Sequence, residues 1–207
     1  MMLQQTLFSA GEEVVFRPLD AGGERLALGR GAWVEVHPGW MGGTGDLFDR
    51  LVDTVPWRAE RRQMYDRVVD VPRLQSFYEE DVPLPDTALD EMRAALDDRY
   101  SSELGEPFRT VGMCLYRDGR DSVAWHGDTV GRASREDTIV AIVSLGAARR
   151  FLLRPRGGGP ARRFLLAAGD LLVMGGSCQR TWEHAVPKSA RPVGRRLSIQ
   201  FRPRGVR

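Results

Sequence analysis

The spacing of hydrophobic residues changes about half-way along the chain. From Asp46 to Thr54, Leu47, Leu51 and Val52 recur at helical spacing and Pro56 follows, which predicts a helix ending ahead of the proline. A second helix is predicted from Asp86 or Thr87, with Leu89, Met92 and Leu96 on one face and acids and Arg93 opposite. Between them Pro72 to Tyr78 reads as extended. From Phe108 onward strands take over. Arg109 to Tyr116 alternates and runs into the turn signal Asp118-Gly119. Thr138 to Leu145 is a continuous apolar run, β-branched at its start, which fits a strand buried on both faces. Arg149 to Arg154 precedes the loop Gly157-Gly158-Gly159-Pro160. Arg163 to Ala168, Gly169-Asp170 and Leu171 to Met174 read as strand, turn, strand, and Arg195 to Arg202 alternates cleanly. The glycine-rich start, to about Gly31, carries no assignable period.

Many short strands with turn signals predict a barrel or double sheet, with the helices of the first half packed outside it. The expected class is mainly β with flanking helices. Residues 1–105 form an N-terminal region and residues 106–207 the β core of one structural domain.

Composition narrows the functional classes. With 207 residues, 42% of them hydrophobic, the chain can bury a sizeable core without covalent staples. Cys114 and Cys178 lie far apart and form no CxxC pair, which excludes a disulfide framework and a zinc ribbon and points to a reducing compartment. The N-terminal segment lacks a positive region and a long apolar stretch, so no signal peptide is evident, and no apolar run approaches membrane-spanning length. A cytoplasmic monomer without a membrane partner is the expectation. The net charge is only +2, and Lys188 is the sole lysine. Arginines crowd two stretches, Arg149 to Arg163 and Arg191 to Arg207, whereas acids fill Glu79 to Asp81 and Asp86 to Asp98. A basic C-terminal half suits phosphates, and a solvated arginine surface accounts for the same pattern.

Two of the three histidines sit in His126-Gly127-Asp128 and Trp182-Glu183-His184. In an extended segment residues two apart point the same way, so His126 and Asp128 can approach one ion. A third ligand from a later strand completes two imidazoles and one carboxylate. That set leaves one face of the metal open, as in non-haem iron(II) oxygenases. Zinc hydrolases also mix histidine and acidic ligands, so the triad alone leaves the metal open. His37, before Pro38, reads as a loop histidine.

On the strand Arg196 to Arg202, the residues Arg196, Ser198, Gln200 and Arg202 share one face and Leu197, Ile199 and Phe201 the other. Arginines turned into a barrel need anionic partners, because a buried unpaired charge is prohibitive. They lie roughly 20 Å apart along the strand, and two long side chains leaning together shorten that to the length of a small dicarboxylate. A solvated edge strand is the alternative.

Taken in order, Pro72-Arg73-Leu74, Tyr116-Arg117-Asp118-Gly119, Trp125-His126-Gly127-Asp128, Val143-Ser144-Leu145-Gly146, Arg150-Phe151, Gly169 to Met174, His184-Ala185-Val186-Pro187 and Arg196 to Arg202 resemble the AlkB family of nucleic-acid dealkylating oxygenases. The resemblance covers roughly Pro72 to Arg202. It implies a double-stranded β-helix (jelly-roll) core, with Fe(II) held by His126, Asp128 and His184, and O2 and 2-oxoglutarate as co-substrates. It places Arg196 on the distal carboxylate of 2-oxoglutarate, Arg202 nearer the chelating end and Tyr116 in a hydrogen bond with the co-substrate. Tyr78 resembles an aromatic of the base pocket, and Arg73, in the first of these segments, joins it as a substrate-binding candidate. Trp125 and Trp182 read as packing. The implied activity is oxidative removal of methyl groups from alkylated DNA or RNA, releasing formaldehyde, succinate and CO2.

Three positions depart from the family pattern. Cys114 stands where an asparagine usually binds 2-oxoglutarate, Ser198 stands where asparagine is common, and Thr129-Val130-Gly131 replaces the acids that often follow the metal aspartate. A thiol is a weak hydrogen-bonding group. These departures keep open a 2-oxoglutarate oxygenase acting on a protein or small molecule, and an idle binding module.

Overall fold

The structure, a computed structural model, describes residues 12–19, 23–64 and 67–206, with side chains for all of these but 62–70. The signal-peptide reading concerns mostly residues 1–11, which lie outside the described residues, as does Arg207. In chain order come β1 (Val15–Phe16), β2 (Glu24–Gly29), β3 (Ala32–His37), β4 (Met41–Gly42) and helix α1 (Thr44–Thr54). β5 (Arg58–Met64) and β6 (Arg67–Tyr78) then lead to helix α2 (Thr87–Leu104). The second half holds β7 (Thr110–Tyr116), β8 (Val123–His126), β9 (Val140–Gly146), β10 (Arg149–Pro155), β11 (Arg162–Leu166), β12 (Leu171–Gly175), the one-turn helix α3 (Cys178–Thr181), β13 (Trp182–Val186) and β14 (Arg196–Arg202).

The strands from β7 onward alternate between two antiparallel sheets, except that β10 and β11 form a hairpin within one of them. One has the order β12-β9-β14-β7 and the other β11-β10-β13-β8. This is a double-stranded β-helix. β3 and β2 extend the first sheet beyond β12, and β6 and β5 extend it beyond β7, making eight strands. The first half therefore supplies strands as well as the predicted helices. The β2–β3 hairpin escaped the period-two reading because polar residues, Glu35 and His37, occupy inward positions of β3 and break its hydrophobic alternation.

Two cores sandwich the larger sheet. Leu47 and Leu51 of α1 and Leu89, Met92 and Leu96 of α2 share one core with Val111, Met113, Leu115, Leu197, Ile199 and Phe201. Between the sheets lie Tyr116, Ile142, Phe151, Leu153, Leu172 and Met174. β9 feeds both, Ala141 and Val143 on one side and Val140 and Ile142 on the other, which explains its unbroken apolar run. The start of α2 is fixed by Asp86, whose carboxylate accepts from the Ala88 amide at 3.0 Å. Gly105, at φ 82°, ends it in a left-handed turn.

His37 is not a loop histidine. It ends β3, 6% exposed, with Nε2 3.0 Å from Glu35 Oε1 and 3.2 Å from the Tyr100 hydroxyl. Its packing against α2 overrides the local signal of the following proline. Among the described residues no helix is long and apolar enough to cross a membrane.

Candidate metal centre and co-substrate chamber

β13 pairs with β8 so that His184 stands directly opposite His126. Their rings lie 4.2 Å apart, centroid to centroid, and His126 Nε2 is 3.9 Å from Asp128 Oδ1. One ligand atom from each of the three residues falls within 4.8 Å of the others, the spacing of groups that can share an ion. His126 Nδ1 meets the Ala124 carbonyl at 2.9 Å, which assigns the proton to Nδ1 and leaves Nε2 for the metal. The His184 ring stacks on Phe151 at 5.3 Å. Asp128 accepts from Arg202 Nε at 2.7 Å, and its own amide donates to the Gln179 side chain at 3.0 Å. Gln179, on α3, gave no signal in the sequence.

Gly127 is required by close approach. A Cβ there would fall 2.3 Å from the Gln179 carbonyl and 3.2 Å from that of Trp182, both backbone oxygens. Gly127→Ala is expected to push the His126–Asp128 segment off α3 and weaken metal binding by about 10–100-fold, as loss of a supporting contact does. Calorimetric titration with Mn(II) checks this, and unchanged affinity would contradict it.

Electrostatics prepares the ligands. Burial pushes Asp128 upward, but Arg202 and the two histidines outweigh it, and the group ends below the usual carboxylate range as an anion. Burial first, then His126, lowers His184 to about 3, so it is neutral and ready to ligate. An unfolded histidine titrates near about 6.5. Between these values the unfolded state binds the extra proton. Stability of the metal-free protein is therefore full above about pH 6.5 and falls as pH drops towards 3, by about 1.4 kcal/mol per unit from this group. Urea titrations across pH 4–7 test the slope, and His184→Leu should flatten it.

On β14 both faces are buried. Leu197, Ile199 and Phe201 meet the helices, whereas Arg196 (1% exposed), Ser198 and Gln200 turn between the sheets. Arg196 Nε donates to Ser144 Oγ at 3.0 Å, and its Cζ lies 5.2 Å from the Tyr116 ring centre. Its Nη1 is buried and has no hydrogen-bond partner among the described residues. No carboxylate lies within ion-pair distance of it there. A fully buried guanidinium without an anion is tolerable only if a ligand supplies one, so the chamber fits a carboxylate. Burial raises Tyr116 to about 12, which keeps its hydroxyl protonated as a donor.

The pairing registers arrange this wall in rows across β6, β7, β14 and β9. Tyr116 and Arg196 form one, Gln75, Cys114, Ser198 and Ser144 the next, and Phe77, Gly112, Gln200 and Ile142 a third. Gln200 Nε2 donates to Ser198 Oγ at 2.7 Å, and the Cys114 thiol lies between Gln75 Nε2 (3.8 Å) and Gln200 Oε1 (4.0 Å). Ser144 is the lone polar residue in the apolar run 139–145, a signal that it has a polar task.

Three expectations change. Arg202 does not lean towards Arg196 but is committed to Asp128. Tyr78 does not face the chamber. It pairs with Val111 and packs in the helix-side core, 7% exposed, because it is one residue out of phase with the inward positions Gln75 and Phe77. The aromatic on the chamber side is Phe77, 39% exposed, whose Cδ2 lies 3.6 Å from where a Gly112 Cβ would stand. The arginine-rich half also splits. Arg149, Arg196 and Arg202 turn inward, Arg149 donating to the carbonyls of Asp118, Asp121 and Pro187, while Arg150, Arg156, Arg162 and Arg163 stay exposed. Trp125, under Arg154 at 4.1 Å, and Trp182, in the inter-sheet core, are packing residues as expected.

The 2OG-Fe(II) oxygenase superfamily matches residues 44–202, and the chain belongs to it. The cofactors are accordingly Fe(II), 2-oxoglutarate and O2. The human alpha-ketoglutarate-dependent dioxygenase alkB homolog 3 is 30% identical over 185 residues, covering 77% of this chain and 63% of that protein. DNA oxidative demethylase ALKBH2 of Arabidopsis thaliana is 31% identical over 134 residues, covering 54% and 42%. The AlkB resemblance read from the motifs is borne out by these relatives, of whose length the chain spans less than two thirds. The solved structure of OsALKBH1 superposes with a TM-score of 0.60 at 15% identity, covering 87% of this chain and all of that one, which supports the fold.

Proposed function

We propose that this protein is an Fe(II)- and 2-oxoglutarate-dependent dioxygenase that removes methyl groups from alkylated bases in DNA or RNA. The observation that carries the reading is the meeting of His126, Asp128 and His184, together with a buried Arg196 whose Nη1 has no partner among the described residues. The names of the relatives, a DNA oxidative demethylase among them, support the nucleic-acid substrate. Fe(II), 2-oxoglutarate and O2, when bound, would supply the oxidising power for hydroxylating an N-linked methyl group, with formaldehyde, succinate and CO2 as the products.

The protein's residues bind and orient. His126, Asp128 and His184 would hold the metal. Arg202 fixes the Asp128 carboxylate so that one oxygen stays turned towards the histidines. Arg196 and the protonated Tyr116 would bind a carboxylate of the co-substrate. Phe77 offers a ring for stacking beside the chamber, and a target base must be flipped out or single-stranded to arrive there. The exposed Arg150, Arg156, Arg162 and Arg163 suit backbone phosphates.

Mass spectrometry of oligonucleotides carrying N1-methyladenine or N3-methylcytosine, before and after incubation with Fe(II) and 2-oxoglutarate, tests this. The expected result is loss of one CH2 unit per lesion with stoichiometric succinate. Succinate formation without any change in a broad panel of methylated DNA and RNA would move the substrate to a protein or small molecule.

A further inference from the structure

β6 brings a second cation to the chamber. Arg73, Gln75 and Phe77 alternate along its inward face, and Gln75 is in register with Cys114 and so with Ser198. Arg73 is 9% exposed. Its Nε is buried with no hydrogen-bond partner among the described residues. Among the described residues its Nη1 donates to the Ser122 carbonyl, at a long 3.4 Å. Arg73 precedes Leu74, which pairs with Leu115, so it stands at the Tyr116 end of the co-substrate wall. Gln75 Oε1, one row along, is buried and unpartnered as well.

The charges around the chamber do not balance. Arg202 is neutralised by Asp128, and Arg149 is occupied by three carbonyls. Arg196 and Arg73 remain, two buried guanidinium groups with unpartnered N–H atoms and no acid in reach among the described residues. A ligand with two carboxylates matches two such cations. The Gln75 carboxamide can serve the same ligand. Its oxygen and nitrogen exchange places by a half-turn. In that orientation the Cys114 thiol donates to the oxygen and the amide N–H₂ faces the position that lacks a partner.

We propose that Arg73, assisted by Gln75, is a second binding group for 2-oxoglutarate, lying outside the double-stranded β-helix strands and complementing Arg196. This rests on the oxygenase reading above and assigns to the co-substrate a residue that the sequence pattern pointed towards the nucleic acid. Cys114 then needs no strong hydrogen bond of its own, because its neighbours on β6 supply the donors.

Calorimetry and thermal melting of the Mn(II)-loaded protein with 2-oxoglutarate alone test the proposal without turnover. Arg73→Met removes a buried unpaired cation, so the ligand-free protein should melt no lower than wild type. Its dissociation constant for 2-oxoglutarate should rise about tenfold or more, the scale of a lost charged hydrogen bond. Its melting shift on adding the ligand should shrink accordingly. Arg73→Lys should fall between, and Gln75→Leu should weaken binding less than Arg73→Met. Wild-type affinity for 2-oxoglutarate in Arg73→Met overturns the proposal, as does unchanged 2-oxoglutarate binding with lost affinity for a methylated oligonucleotide, which would return Arg73 to the substrate. Failure of the wild-type protein itself to bind 2-oxoglutarate, with no response to Arg196→Met, would instead remove the oxygenase reading beneath it.

Discussion

Replacing Asp128 by alanine is expected to abolish divalent-metal binding and to reduce turnover by well over about 100-fold, more than the loss of an outer partner causes. Two effects coincide at this side chain. It is the one carboxylate of the cluster, so its removal leaves two imidazoles and no anionic ligand. It is also the partner of Arg202, whose side chain is 12% exposed and would be left as a buried cation without an anion. Breaking such a pair from one side costs about 3–5 kcal/mol. The variant should therefore both lose the metal and unfold at lower denaturant. Arg202→Met separates the two effects. It removes the cation together with the unpaired charge, so folding should survive while metal affinity falls by about 10–100-fold. Titration with Mn(II), beside urea unfolding of the metal-free protein, reads both quantities. Wild-type metal affinity in Asp128→Ala would dismantle the proposed centre.

The second large effect lies away from the metal. Glu35 is 2% exposed and gathers His37 and the Tyr100 hydroxyl on one oxygen and Arg25 on the other. Arg99 stands 3.8 Å away, and Arg25 also bridges to Glu103 on α2. This network ties α2 to β2 and β3, the end of the large sheet farthest from β6. Glu35→Ala should cost about 3 kcal/mol or more, since His37 and Tyr100 lose their acceptor and Arg25 half its partners. For a chain of this size that corresponds to a fall in melting temperature of roughly 6–12 °C. Differential scanning calorimetry of the metal-free protein measures it. Because the network does not touch the metal ligands, the folded fraction should keep its affinity for Mn(II), and a loss of metal affinity in step with stability would show that β3 supports the centre more directly than its position implies.

The legible parts of this protein are those in which neighbouring residues in sequence are also neighbours in space. Two-residue alternation marked β7 and β14, an unbroken apolar run marked β9 as buried on both faces, and turn or loop signals bounded β10, β11 and β12. Helical spacing placed α1 and α2 within two residues of their observed starts. The His126–Asp128 spacing announced two ligands, and the alternation of Arg196, Ser198, Gln200 and Arg202 announced a polar inner face. β8 and β13 are too short to show a period, and β3 carries its charges inward, so the sequence reading missed all three.

What the fold alone decided is which distant groups meet. His184 joins His126 because β13 and β8 are adjacent across the smaller sheet, some 58 residues apart in sequence. Gln179 reaches the Asp128 amide only because α3 packs under Gly127. Phe77 rather than Tyr78 faces the chamber because side chains on a strand alternate and the register of β6 on β7 sets the phase. Arg202 serves Asp128 rather than Arg196's ligand because an ionised carboxylate lies within reach of its fork. Local pattern carries periodicity and chemical type. Register, phase and charge pairing depend on contacts between segments far apart in the chain, and only the packed structure fixes those.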